Sequence, residues 1–109
     1  YVFAEPILAS ELKHEALPLM TKDEVVLWVG ETKGGGISEV AQIRARGAKV
    51  IGFSVENLGF DVHIRTPLEV IDFPPLAIVP FQLLTQHIAN RKEINVDRPR
   101  NLAKAITVK

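Results

Sequence analysis

An α/β fold, a parallel sheet flanked by helices, is predicted for this chain by two observations. Two apolar runs rich in β-branched residues, Val25-Val26-Leu27-Trp28-Val29 and Lys49-Val50-Ile51-Gly52-Phe53-Ser54-Val55, lack the polar alternation of a half-solvated strand. Between them lies a segment with helical spacing of its apolar positions, so the three form a strand, helix, strand unit whose crossover is almost always right-handed.

The first run ends at Gly30 and predicts a strand buried on both faces. In the segment from Ile37 to Arg46, residues Ile37, Val40, Ala41 and Ile43 fall on one helical face, with Ser38 as a possible cap and Gly47 as the stop. The second run repeats the buried-strand pattern. Val62-His63-Ile64-Arg65 alternates and precedes Pro67, which suits an edge strand rather than a central one. After Pro74-Pro75, apolar residues recur at Ile78, Phe81, Leu84 and Ile88. This predicts a long helix over 76–88 with Pro80 in or near its first turn and Gln82, Gln86 and Arg91 outward. A further helix is expected to begin near Ser10, with Leu12 and Leu17 inward and Pro18 close to its end. Two or three strands are fewer than a doubly wound sheet normally uses to bury its centre, so half of a sheet is expected to be missing.

Composition narrows the function. The chain has 109 residues, 47% of them hydrophobic and 24% charged, which leaves room for a single domain. Thirteen Lys and Arg balance 13 Asp and Glu, so no net positive field exists to draw in nucleic acid or an anionic membrane surface. There is no cysteine, which removes disulfides, thiolate nucleophiles and the usual structural zinc sites, and makes the cytoplasm the expected compartment. The apolar runs are too short to span a bilayer, and no charged-then-apolar signal segment opens the chain. It begins at Tyr1 inside an apolar phrase with no cap or turn before it, which suggests part of a larger polypeptide.

The closing phrase runs Asn95-Val96-Asp97-Arg98-Pro99-Arg100-Asn101-Leu102-Ala103-Lys104-Ala105-Ile106-Thr107-Val108-Lys109. Composition alone reads it as a solvated tail. It resembles the carboxy-terminal tail of the glucosamine-6-phosphate synthase family, whose pattern is Asp, any residue, Pro-Arg-Asn-Leu-Ala-Lys, then Thr-Val and an acidic end. Ala4-Glu5 followed by Glu11-Leu12-Lys13-His14 resembles the helix of the same family that carries its ring-opening histidine. Ile43-Arg44-Ala45-Arg46-Gly47 and Val79-Pro80-Phe81-Gln82-Leu83-Leu84 fit between them, so the resemblance covers nearly the whole chain in order.

The resemblance implies a flavodoxin-like parallel sheet flanked by helices, the second half of a sugar isomerase (SIS) domain over residues 1–109, with 95–109 as an active-site tail. It implies a homodimer that binds fructose-6-phosphate and forms glucosamine-6-phosphate with ammonia taken from glutamine, without metal or cofactor. Lys104 matches the family lysine that forms a Schiff base with the open-chain ketose. His14 matches the histidine that assists ring opening and often reaches across the dimer interface, and Ala103 matches a position whose backbone contacts the sugar. The chemistry is coherent: an amine must be neutral to attack a carbonyl, and lysine is the side chain whose pKa falls on desolvation. Moving a proton between hydroxyl and ring oxygen suits histidine, the residue type that changes charge near neutral pH.

Without the motif, Lys104 would read as a solvated surface group and His14 as an exposed or paired histidine beside Glu11 and Glu15. His63 and His87 have no partner at metal-ligand spacing and read as an edge-strand side chain and an interfacial helix residue. Gly34-Gly35-Gly36 before a helix invites a phosphate-loop reading but lacks the full pattern of one, so a flexible loop is expected. Trp28 reads as core. Three departures from the family are visible: Glu15-Ala16 stands where Gly-Pro is usual, implying a longer helix after His14; Lys109 replaces an acidic end; the segment around Gly34 is shortened. The family's phosphate-binding loop and general-base glutamate have no counterpart in residues 1–109. Two other functions stay open: a glucosamine-6-phosphate deaminase on the same fold, and a non-catalytic sugar-phosphate-binding module of a regulator.

Overall fold

A computed structural model describes residues 2–33 and 35–101. The order of elements is α1 (Leu12–Glu15), β1 (Val25–Val29), α2 (Ile37–Ala45), β2 (Lys49–Ser54), β3 (Val62–Arg65) and α3 (Pro75–Arg91). The strands form one parallel sheet in the order β1-β2-β3, with Val26 opposite Val50, Trp28 opposite Gly52, and Phe53 opposite Ile64. The expected α/β architecture is therefore the observed one. The chain divides into two compact units, Tyr1–Ala77 and Ile78–Lys109.

In the first unit the main cluster of buried side chains lies on one face of the sheet, with Phe53 buried on the other. Val40 and Ile43 of α2 pack with Val50, Leu12, Leu17, Ala48, Leu58 and Phe60, and Val26 and Trp28 of β1 close against this cluster. The strand period of two puts Val26, Trp28, Val50 and Gly52 on this face together. β2 is the middle strand, and Val50 is 0% exposed. β1 departs from the expected burial on both faces: Val25 is exposed and Val26 through Val29 are half-buried. The physical reason is the strand order, which leaves β1 without a strand neighbour on its outer side among the described residues.

Two further expectations are corrected at α2. Ile37 and Ala41 are exposed rather than turned into the core, so the inner face is the Val40 and Ile43 pair one turn apart. Ser38 is not the cap. The N-cap is Gly36, at φ 92°, a conformation that costs an L side chain and that glycine adopts freely. It is also buried, and a Cβ there would lie 2.9 Å from both Leu58 Cδ1 and Trp28 Cζ2. The expected flexible loop is thus, at Gly36, a packed helix start; Gly34 lies outside the described residues.

The link from β2 to β3 contains no helix, although parallel neighbours are usually joined by one. Residues 55–61 make the return instead, turned by Asn57, whose side-chain oxygen accepts from Gly59 N (2.9 Å) and Phe60 N (2.8 Å). This return lies over the core face, where Leu58 and Phe60 fill space that a helix would otherwise occupy. Gly52 makes the arrangement possible, since any Cβ there would overlap the Phe60 ring.

Helix α3 begins at Pro75, a position where proline's missing N–H costs nothing. Pro80 is its sixth residue and sits in the second turn, next to the first. Phe81, Leu84 and Ile88 are half-buried, Ile78 is exposed, and Gln82, Gln86 and Arg91 face solvent as expected. The helix runs three residues beyond the expected Ile88, to Arg91. It closes with Glu93 N donating to Asn90 O (3.2 Å) and Ile94 N to Ala89 O (2.9 Å), the paired bonds of a Schellman motif.

Candidate functional site

His14 lies on α1, a single turn held in place by the burial of Leu12 and Leu17 on either side of it. Its backbone N–H donates to Glu11 O (2.9 Å), and its side chain is exposed. The longer helix expected after His14 does not form: α1 ends at Glu15, and Ala16 to Met20 continue as turns, Leu17 N donating to Leu12 O (2.9 Å) and Leu19 N to Ala16 O (3.0 Å). Pro18 explains this, because a proline disfavours helical geometry in the residue before it. Nor does Ser10 cap the turn; Glu11 is the N-cap and makes no side-chain capping bond.

Beside α1 the surface opens into a groove of about 490 Å³ lined by Glu5, Ile7, Glu15, Ala16, Leu19, Met20 and the Val25-Val26 start of β1. Glu24 lines it too, but its carboxylate is engaged. Thr21 Oγ1 (2.6 Å) and Thr21 N both donate to it, and these bonds, the hydroxyl's first, hold its pKa below the ordinary value.

The carboxyl ends of parallel strands are where open α/β sheets bind ligands. Here that edge is laced by polar contacts between loops. Thr32, after β1, donates its backbone N–H to Glu69 Oε2 (3.2 Å) and its hydroxyl to Glu69 Oε1, joining the segments that follow β1 and β3. Ser54 ends β2, and its hydroxyl donates to Glu56 O (2.6 Å). His63 Nε2 sits 3.0 Å from Ser54 O and 3.3 Å from Ser54 Oγ. With the hydroxyl proton committed to Glu56 O, the ring nitrogen acts as donor to the Ser54 carbonyl, so this serine and histidine do not form a nucleophile and base. His63 is a half-buried structural side chain, as read from the sequence.

Asp61 is a structural carboxylate that sequence reasoning missed. Its Oδ2 accepts from Val50 N (2.8 Å) and its Oδ1 from Arg44 Nη2 (3.1 Å), tying the end of α2 to the start of β2. Its pKa is lowered, chiefly by the Val50 N–H and, in smaller part, by the Arg44 charge, against an opposing contribution from burial. No local pattern marks Asp61, nor the Thr32 and Glu69 pair. Among the described residues no group of three or more His, Cys, Asp or Glu is placed to hold a metal ion. No helix among them is long and apolar enough to cross a membrane.

Of the three residues singled out from the sequence, His14 is placed by the structure, whereas Ala103 and Lys104 lie outside the described residues.

Comparison with known proteins places the chain. A glutamine–fructose-6-phosphate aminotransferase (isomerizing) of Chlorobaculum tepidum is 34% identical over 117 residues, covering 99% of this chain and 19% of the relative. The protein of that name from Escherichia coli (strain K12) is 38% identical over 117 residues with the same coverage. A solved structure, the C-terminal domain of glucosamine-fructose-6-phosphate aminotransferase from Francisella tularensis, superposes with a TM-score of 0.69 at 27% identity, over 83% of this chain and 28% of that one. The chain is homologous to the carboxy-terminal part of glutamine–fructose-6-phosphate aminotransferases. No protein-family model matches it. It spans about a fifth of the length of these aminotransferases. The expected kinship and the expected SIS-type α/β fold both hold.

Proposed function

We propose that residues 1–109 are the second half of an SIS domain, with 95–109 as its active-site tail, in a protein that converts fructose-6-phosphate and ammonia into glucosamine-6-phosphate and water. The observation that carries this reading is the 34% to 38% identity, along 99% of the chain, to proteins named for fructose-6-phosphate aminotransfer. Lys104 Nζ attacks the carbonyl carbon of the open-chain ketose; carbonyl oxygen leaves as water and an imine forms. His14 moves the proton that opens the sugar ring, reaching the site of a second subunit in a cytoplasmic homodimer, and the Ala103 backbone contacts the sugar. The exposure of His14 suits a group that acts on a neighbouring site. Ammonia comes from glutamine, supplied by a separate part of the polypeptide, and the phosphate is held by the first half of the domain.

A deaminase on the same fold runs the related reaction in reverse, and the names of the relatives favour the synthase. A regulatory sugar-phosphate module needs no imine-forming lysine. Borohydride reduction of the full-length protein with fructose-6-phosphate, followed by peptide mapping, tests the reading. A reduced sugar adduct on Lys104 that is lost in Lys104→Arg is the expected result. Binding of the sugar phosphate with no adduct anywhere would overturn the enzyme in favour of the module.

A further inference from the structure

Helices α2 and α3 differ in what they turn outward. α2 carries Glu39 and Arg44 in nine residues, the charged outer surface usual for a helix in contact with water. α3 has 17 residues with no Asp, Glu or Lys, and its one Arg is the last of them. Val79, Gln82, Leu83, Gln86 and Asn90 recur at helical spacing, and all are exposed. Val79 is 48% exposed and Leu83 62%, with Ile78 beside them at 56%. Aliphatic side chains without charge among them make the composition of a buried contact surface, not of a solvated one.

Area decides what meets this face. Between Ile78 and Arg91 the helix is about 20 Å long and about 10 Å across, roughly 200 Å² on one side. A stable contact between separate chains needs about 800 Å² per partner. A second copy docked here would be held weakly, whereas a segment of the same polypeptide meets the face without the translational and rotational cost of association. The matched stretch is 19% of the Chlorobaculum tepidum aminotransferase, so a protein of that length has the greater part of its chain available. Val79 and Leu83, four residues apart, form the kind of ridge that seats in the groove of a second helix. We propose that the Val79 and Leu83 face of α3 is covered, in the full-length protein, by an uncharged aliphatic helix from the part of the polypeptide outside residues 1–109. The inference rests on the reading of this chain as part of a longer aminotransferase, and it does not depend on the imine at Lys104.

The experiment measures maleimide labelling of single cysteines in the full-length protein, at Leu83→Cys, Gln86→Cys and, as an exposed control just past the helix, Lys92→Cys. Residues 1–109 contain no cysteine, so peptide mapping isolates each site. Leu83→Cys and Gln86→Cys are expected to react at least about tenfold more slowly than Lys92→Cys in native protein, at the same rate in denaturant, and with no change on dilution to the monomer. The Gln86→Cys measurement keeps the test decisive if Leu83→Cys does not fold. Labelling of both as fast as Lys92→Cys would show the face open to solvent and overturn the inference. Protection that disappears as sedimentation shows a dimer dissociating would assign the face to a second copy and overturn it equally. Either result leaves a borohydride-trapped adduct on Lys104 untouched, so this failure and that of the enzyme reading are told apart.

Discussion

Helices α2 and α3 end by the same backbone manoeuvre with different residues. After α2 the chain turns at Gly47, φ 90°, with Gly47 N donating to Arg44 O (2.9 Å); after α3 it turns at Glu93, φ 55°. Glycine takes the left-handed conformation without strain, while glutamate holds it only because the Schellman bonds from Glu93 and Ile94 compensate. One end is stabilised by residue choice, the other by hydrogen bonds that override it. The Gly47 end carries a second constraint, since a Cβ there would come within 3.0 Å of Lys22 Cβ and 3.3 Å of Lys22 Cα.

The comparison breaks most visibly at Gly47. Gly47→Val combines left-handed strain in a β-branched residue with the Lys22 clash, and should lower stability by about 3 kcal/mol in chemical denaturation. Gly47→Ala keeps the clash but not the branching, for a loss of about 2 kcal/mol. Equal stability of native and alanine forms would mean that the loop carrying Lys22 yields freely. At the other end the sign reverses: Glu93→Gly should stabilise by roughly 0.5–1 kcal/mol, read as slower amide exchange at Ile94. A loss there would show that the Glu93 side chain contributes more than its backbone costs. The smallest effect concerns pH. Asp61 holds the α2 end through Arg44, and its lowered pKa means that its contribution is present above the ordinary carboxylate range and lost as pH falls through the lowered value. Acid should therefore loosen the amides of α2 before those of α3, and Asp61→Asn should remove the difference.

These two ends also show what the sequence makes legible. Gly47 announces the stop of α2, and the helix ends beside it; Glu93 announces nothing, and the apolar recurrence, which stops at Ile88, does not mark the end of α3 at Arg91. The strands were legible because their β-branched runs have no competing helical period. Less readable were features decided by tertiary neighbours. Ile37 fits the apolar face of α2 by spacing, yet at the first turn it stays largely exposed. Thr32 and Glu69 are 37 residues apart and meet only because the sheet brings their loops together. As for the site, His14 and Lys104 have no local signature beyond the phrases around them. His14 is singled out by the Glu11-Leu12-Lys13 phrase and lies on a short exposed turn, while the roles proposed for Lys104 and Ala103 rest on the motif alone.

The helix-free return between β2 and β3 bears on how this three-stranded sheet comes together. Parallel pairing is ordinarily slow to form because a long crossover must be closed before any strand contact repays its entropy. Here residues 55–61 suffice, with Asn57 already bending the chain and Phe60 laid on Gly52. Strands β2 and β3, together with Leu58 and Phe60, thus form a nearly local unit, a ready nucleus onto which α2 and then β1 can add.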